Sequence, residues 1–134
     1  MPRARMPLTW VALLCVPVLA CGDEGGTTPA PPPAPAYDIS IINGVGYRSD
    51  SNATQNPAVD TVAAGTKVRW TWQNTGTVAH NVRSAGSPSF PGSGDLNTAG
   101  STFTYTFTTP GTYNYECTMP GHAAAGMTGT LVVQ

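Results

Sequence analysis

Four side chains with metal-binding chemistry lie in two parts of the sequence. Cys117, His122 and Met127 fall within eleven residues near the C-terminus, and His80 precedes Cys117 by thirty-seven residues. Two imidazoles and a thiolate in a trigonal arrangement, with a thioether as a weak axial ligand, form the ligand set of a blue copper site for electron transfer. The residue types therefore predict a centre that holds one copper ion.

Strand parity indicates where the cysteine points. In a strand predicted over Thr112–Cys117, Cys117 has the same parity as Tyr113 and Tyr115 and the opposite parity to the polar residues between them. Side chains of equal parity lie on one face of a strand. The thiol is therefore expected to face the core.

The upstream histidine is expected to face the core as well. A strand predicted over Thr77–Arg83 gives His80 the same parity as Val78 and Val82. A single buried His and a single buried Cys would each cost desolvation free energy with little return, and a shared metal ion explains both.

The axial position has two candidates. Met127 closes the ligand loop, whereas Met119 lies two residues after Cys117 and is poorly placed to cap a plane of three ligands. Each residue also has a structural explanation, because an isolated buried His or Met more often belongs to an ordinary core. Met127 is the expected axial ligand.

Residues 37–134 are predicted to form one all-β domain, because apolar and polar residues alternate in short segments separated by Gly, Pro, Asn and Ser. About seven strands in 98 residues predict an antiparallel sandwich or barrel.

The sequence also predicts where the strands and loops lie. Arg48–Pro57 and Ser84–Gly100 are predicted to be long loops with room for a helical turn. The turn signals are Gly65, Asn74-Thr75-Gly76 and Pro110-Gly111. The predicted strands are Tyr37–Tyr47, Ala58–Ala63, Lys67–Gln73, Thr77–Arg83, Thr102–Thr108, Thr112–Cys117 and Thr128–Val133.

Composition and charge exclude two classes of protein. Six Lys and Arg against seven Asp and Glu give a net charge of -1, so there is no basic surplus to neutralise phosphates, and nucleic acid is not an expected partner. Three Trp, five Tyr and three Phe in a chain that is 40% hydrophobic indicate a folded domain rather than a disordered one.

Residues 37–134 resemble a cupredoxin of the azurin, plastocyanin and auracyanin kind. The four residues between Cys117 and His122 are similar to azurin, and the four between His122 and Met127 are similar to plastocyanin. The two intervals together look most like auracyanin. The other matching segments are Gly65–Asn74, His80-Asn81-Val82, Ser93–Leu96, Gly100–Phe107 and Pro110–Cys117.

The resemblance implies a fold, a cofactor and a ligand set. The expected fold is a cupredoxin-like antiparallel Greek-key sandwich of about seven to eight strands, and the cofactor is one copper ion that cycles between Cu(I) and Cu(II). His80, Cys117 and His122 are the implied strong ligands, with Met127 as the long axial one. The backbone amide of Asn81 is expected to donate to the thiolate, and the Asn81 side chain to hold Thr118.

The expected function is that of an electron carrier and not an enzyme, because four protein ligands leave copper no open position for a substrate. A copper transport or storage protein is the alternative, but the sequence has no Met-rich or His-rich tract to favour it. A copper nitrite reductase would need two fused domains of this kind. A metal-free adhesion domain would leave Cys117 and both histidines unexplained.

The partners are expected to be redox proteins that dock transiently. In cupredoxins the ring edge of the loop histidine, here His122, is exposed within an apolar patch, and Ala123–Gly126 would provide small neighbours. Four basic and five acidic residues in the domain predict weak electrostatic steering. A monomer is expected.

The first twenty-one residues resemble an export signal. Arg3 and Arg5 precede an apolar run at 8–20 that would give roughly 20 Å of helix, shorter than the roughly 30 Å hydrocarbon core of a bilayer. The run ends in a sequence similar to the lipobox of bacterial lipoproteins, in which Cys21 would receive a diacylglyceryl group. The alternative is ordinary cleavage after Ala20.

Between the lipobox and the domain, residues 22–36 are rich in Pro and Gly and contain no large apolar side chain. Such a segment is expected to be an extended tether that reaches on the order of 45 Å. The predicted organisation is a signal peptide at 1–20, a lipidated Cys and tether at 21–36, and a cupredoxin domain at 37–134. The protein is expected to be exported and lipid-anchored to a bacterial membrane, facing the periplasm or the cell exterior.

Overall fold

The structure, a computed structural model, describes residues 36–73 and 76–134. These residues form strands and turns and contain no helix, so none of them belongs to a helix that could span a bilayer. The strands, numbered in chain order, are β1 Tyr37–Ile41, β2 Tyr47–Ser49, β3 Ala58–Val62, β4 Thr66–Trp72, β5 Arg83–Ser84, β6 Thr102–Phe107, β7 Gly111–Glu116 and β8 Thr128–Val133.

Several predictions fall outside the described residues. The signal peptide at 1–20, the lipidation of Cys21 and all but the last residue of the 21–36 tether lie there, as do Asn74 and Thr75 of one turn signal. They stay predictions.

The eight strands make two sheets of four. One sheet has the order β2-β1-β4-β6, and the other has the order β3-β8-β7-β5. Side chains alternate between buried and exposed along β3, β4 and β7, as expected for strands with one face on a core and one in water. The predicted all-β sandwich of seven to eight strands is confirmed.

Two strand pairs in the sandwich are parallel, although an antiparallel sandwich was the expectation. β1 runs parallel to β4, with Tyr37 beside Val68, and β3 runs parallel to β8, with Ala58 beside Gly129. Parity along one strand is the same in parallel and antiparallel pairs, so alternation alone does not distinguish them.

Two predicted strands are wrong in extent. Tyr37–Tyr47 is a hairpin of β1 and β2, in which Ile41 pairs with Tyr47 and Gly44 takes a positive φ of 87° at the turn. Asn43-Gly44 is the turn signal that could have revealed it. The strand predicted over Thr77–Arg83 is replaced by a single bridge at His80 and the short strand β5. The loop at 84–100, all of which is described, holds no helical turn.

Aromatic side chains fill the space between the sheets. Trp70 of β4 is fully buried and lies 5.9 Å from the ring of Phe90, nearly parallel to it, and 5.4 Å from the ring of Tyr115, which meets it edge-on. Offset and edge-to-face contacts of this kind add to the stabilisation from burial. They join the two sheets across one core.

The strand directions bring several chain segments to one end of the sandwich. β7 ends at Glu116 opposite Thr128, so the residues that follow β7 and precede β8 meet there. β4 ends at Trp72 beside Ile41 and leads toward His80 at the same end. At the opposite end, the Gln134 amide donates to the Val62 carbonyl at 3.0 Å.

Candidate metal centre

Three of the predicted ligands converge. One potential ligand atom from each of His80, Cys117 and His122 lies within 4.8 Å of the other two. The Cys117 Sγ is 3.3 Å from His122 Nδ1, and the two imidazole ring centres are 4.8 Å apart. A thiolate and two imidazoles in such a cluster are the donors that copper and zinc prefer.

β7 positions the cysteine. Cys117 directly follows the strand and is fully buried, and Tyr113 and Tyr115 at the same parity are buried too, whereas Asn114 is exposed. The Cys117 side chain therefore faces the core, as predicted. The backbone amide of Cys117 donates to the Met127 carbonyl at 3.1 Å, which ties the two ends of the loop together.

The loop between β7 and β8 is a series of tight turns that presents His122. The His122 amide donates to the Met119 carbonyl at 3.0 Å, and the Met127 amide donates to the His122 carbonyl at 3.0 Å. Gly121 and Gly126 take positive φ values of 81° and 94°, which a side chain would disfavour. Backbone hydrogen bonds thus tie the turns of the loop together.

His80 reaches the centre by a different route from the one predicted. Val78, at the same parity, is 46% exposed, so residues before His80 do not follow a strand face. Instead His80 and Leu96 exchange backbone hydrogen bonds, each 2.9 Å long. We call Ser93–Leu96 the strap, because it runs along the first ligand segment.

The strap also holds Val82, two residues after His80. The Ser93 amide donates to the Val82 carbonyl, and the Val82 amide donates to Ser93 Oγ, both at 2.9 Å. The strap lies in the 84–100 stretch that was predicted only as a long loop. Backbone hydrogen bonds and the Ser93 hydroxyl hold the strap, and not alternation of apolar residues, so the Ser93–Leu96 resemblance was its only sequence signal.

Asn81 connects the first ligand segment to the residue after the cysteine. The Thr118 amide donates to Asn81 Oδ1 at 2.9 Å, and Asn81 Nδ2 donates to Thr118 Oγ1 at 2.9 Å. The side-chain contact expected from the resemblance is present. Tyr47 of β2 adds a hydrogen bond from its hydroxyl to the Asn81 carbonyl.

Burial and the nearby His122 favour the neutral form of His80, which is the form that can bind a metal ion. Desolvation, followed by the nearby His122, lowers the pKa of His80 below its usual value, so the imidazole stays neutral and keeps a lone pair for a metal. Both ring nitrogens of His80 are buried and have no hydrogen-bond partner among the described residues. Buried polar atoms are rarely left unpaired, and the nitrogen that carries the lone pair is available to bind a copper ion.

The two methionines have different surroundings. Met127 is fully buried at the site end of the core, whereas Met119 is only partly buried. His122 is also only partly buried, so one of the clustered side chains reaches the surface while His80 and Cys117 do not. The four predicted residues together make an arrangement typical of a type 1 copper site.

Solved structures of copper proteins share this fold. A purple cupredoxin from Nitrosopumilus maritimus is 28% identical, with a TM-score of 0.56 over 75% of this chain and 100% of that one. Auracyanin from Roseiflexus castenholzii is 21% identical, with a TM-score of 0.54 over 72% and 94%. Rusticyanin from Thiobacillus ferrooxidans is 24% identical, with a TM-score of 0.54 over 72% and 76%. The fold is that of a cupredoxin.

Residues 46–134 match the family of copper-binding proteins that contains plastocyanin and azurin. The chain belongs to this family, and its cofactor is copper. Family and neighbours indicate a blue copper electron carrier.

Proposed function

We propose that the domain binds one copper ion through His80, Cys117 and His122, with Met127 as the axial ligand, and carries single electrons between partner proteins outside the cytoplasm. The observation that carries the assignment is the cluster of three donor atoms within 4.8 Å of one another, in which both nitrogens of His80 lack another partner among the described groups.

The way the site is built suits electron transfer. Copper, when bound, supplies the change between Cu(I) and Cu(II). His80, Cys117 and Met127 are each fully buried, so these side chains exclude water and leave little room for a substrate. Backbone hydrogen bonds between Cys117 and Met127 and between Met127 and His122 hold the ligand loop. A fixed loop keeps reorganisation small when the charge of the metal changes.

The partly exposed His122 is the proposed route for electrons. Ala123–Gly126 follow it with small side chains, two of them exposed, so a partner could approach the ring closely. The domain has four basic and five acidic residues, which favours brief apolar contact over strong steering. We propose that the carrier is a monomer that meets its redox partners here.

The site of action is proposed from residues 1–36. An apolar run after Arg3 and Arg5 and a lipobox-like ending at Cys21 support export and lipid anchoring. Cys21→Ser is expected to move the protein from the membrane fraction to the soluble fraction of the producing cells. Retention in the membrane fraction would contradict the lipid anchor and leave the copper proposal intact.

Copper loading with a visible spectrum tests the central assignment. We expect one Cu(II) per chain and an intense thiolate-to-copper absorption band, and we expect Cys117→Ser to lose that band. The control is Ser101→Ala, which removes a hydroxyl from the residue before β6 and should keep the spectrum. A colourless, redox-inert complex in the unaltered protein would contradict the carrier and favour copper transport or storage.

A further inference from the structure

We propose that Asp95 is a positioning residue for the copper site and acts through Asn81; the inference rests on the proposed function. Asp95 Oδ1 accepts a hydrogen bond from Asn81 Nδ2 at 2.7 Å. Neither the resemblance nor the ligand set assigns a role to this carboxylate, which belongs to the strap rather than to a ligand segment.

The carboxylate completes the hydrogen bonding of a buried amide. Asn81 is 1% exposed, and its oxygen already accepts from the Thr118 amide. Of the two protons on Asn81 Nδ2, one is directed to Thr118 Oγ1 and the other to Asp95 Oδ1. Without Asp95, one donor of this buried amide would lose its hydrogen bond to a charged group.

The contact also fixes the direction of the amide. A carboxylate accepts hydrogen bonds and cannot donate them when ionised, so Asp95 must face the nitrogen of Asn81 and not its oxygen. That orientation leaves Asn81 Oδ1 toward the Thr118 amide, 2.9 Å away. Thr118 follows Cys117 directly, so the backbone that carries the sulfur is held by the same amide.

Asp95 is well placed for this task, because strap residues on either side of it are held by other hydrogen bonds. Leu96 exchanges two backbone hydrogen bonds with His80, and Ser93 is bonded to Val82 through its amide and its hydroxyl. Asp95 lies between these anchors opposite Asn81. The three contacts form one unit that links the strap to the first ligand segment and, through Thr118, to the second.

The test compares Asp95→Ala with Asp95→Asn, which keeps a carbonyl acceptor but no charge. Asp50→Ala is the matched control, because it removes another exposed carboxylate that accepts a side-chain hydrogen bond, from Ser40 at 2.8 Å. The first readout uses metal-free protein: exchange of the Asn81 side-chain amide protons, followed by NMR. Loss of a hydrogen bond to a charged group predicts exchange about tenfold faster in Asp95→Ala, an intermediate rate in Asp95→Asn and no change in Asp50→Ala.

The second readout uses copper-loaded protein. Asp95→Ala is expected to shift the thiolate-to-copper band and to release copper to a chelator several-fold faster, with partial rescue in Asp95→Asn. If Asp95 only stabilised the loop, Asp95→Ala would lower the unfolding temperature without shifting the thiolate-to-copper band, and this result would contradict the positioning role. Unchanged amide exchange and an unchanged band in Asp95→Ala would overturn the inference.

The two proposals fail separately. If the unaltered protein shows no thiolate-to-copper band, the proposed function fails, while the amide exchange of the metal-free variants still decides whether Asp95 positions Asn81. If the unaltered protein shows the band and Asp95→Ala matches it in both readouts, only the positioning role fails.

Discussion

At the scale of single residues, the site combines donors that each need a protected setting. The Cys117 thiol and the His80 imidazole are fully buried, and His80 has its pKa lowered by burial. A neutral imidazole and a thiolate are both stabilised by a metal ion in a place where water is excluded. The residue types and their burial therefore both favour metal binding.

The axial methionine gives a prediction at this scale. Met127→Leu should retain copper and raise the reduction potential by more than about 59 mV, the equivalent of tenfold in a one-electron equilibrium, because loss of a thioether donor and a more apolar side chain both disfavour Cu(II). Voltammetry of the loaded protein measures the shift.

Met119→Leu is the control for this prediction. Its side chain is partly buried two residues after Cys117, so the potential should change little. A large shift in Met119→Leu with none in Met127→Leu would transfer the axial role to Met119.

At the scale of elements, parity succeeded where the strand is regular. Cys117 faces the core because β7 is paired with β8 along its whole length, so period-two alternation continues to its end. His80 is buried although Val78 is 46% exposed, because the strap and not a strand orients it. Fold class and the three clustered donors could thus be predicted from sequence.

Other features could not be predicted from the sequence, because they depend on contacts between distant segments. Such contacts leave no pattern of residue types within one segment. The strap is held through backbone atoms of Ser93 and Leu96, which almost any residue can supply, and through the Ser93 hydroxyl. The parallel pairs of β1 with β4 and of β3 with β8 follow from how distant strands associate. Asp95 reads in sequence as an ordinary polar loop residue, so its contact with Asn81 appears only in three dimensions.

Packing between β7 and β8 gives the element-scale prediction. A Cβ placed on Gly129 of β8 would overlap the ring of Tyr115 on β7, and that ring is buried against Trp70. Gly129→Ala should therefore lower the free energy of unfolding by about 1–3 kcal/mol, as overpacked cores do.

Denaturant unfolding of the metal-free protein measures this loss. Gly94→Ala is the control, since no heavy atom lies within 4 Å of a Cβ placed there, and it should be close to neutral. Equal stability of the Gly129 variant and the unaltered protein would show that Tyr115 can move away at little cost.

At the scale of the described domain, chain entry and metal centre lie at opposite ends. β1 starts at Tyr37 beside Val68 and runs toward Ile41 and Trp72, the end from which the chain continues to His80. A tether that ends at residue 36 would join the domain at the end away from the copper.

The docking proposal gives a prediction at this scale. Ala124→Glu places a charge beside His122 on an exposed position, so two copies meeting through this surface would repel each other. Electron self-exchange between oxidised and reduced protein, measured by NMR line broadening, should slow by roughly tenfold at low salt.

Thr61→Glu adds the same charge to an exposed position of β3, near the opposite end, and is the control. It should leave self-exchange close to that of the unaltered protein. Equal slowing in both variants would indicate that net charge, and not the surface around His122, limits the encounter.

Voltammetry of the copper-loaded domain measures electron carriage itself. We expect a reversible one-electron wave with one copper ion per chain, and its loss in Cys117→Ser. Bound copper that gives no reversible wave in the unaltered protein would contradict the carrier role.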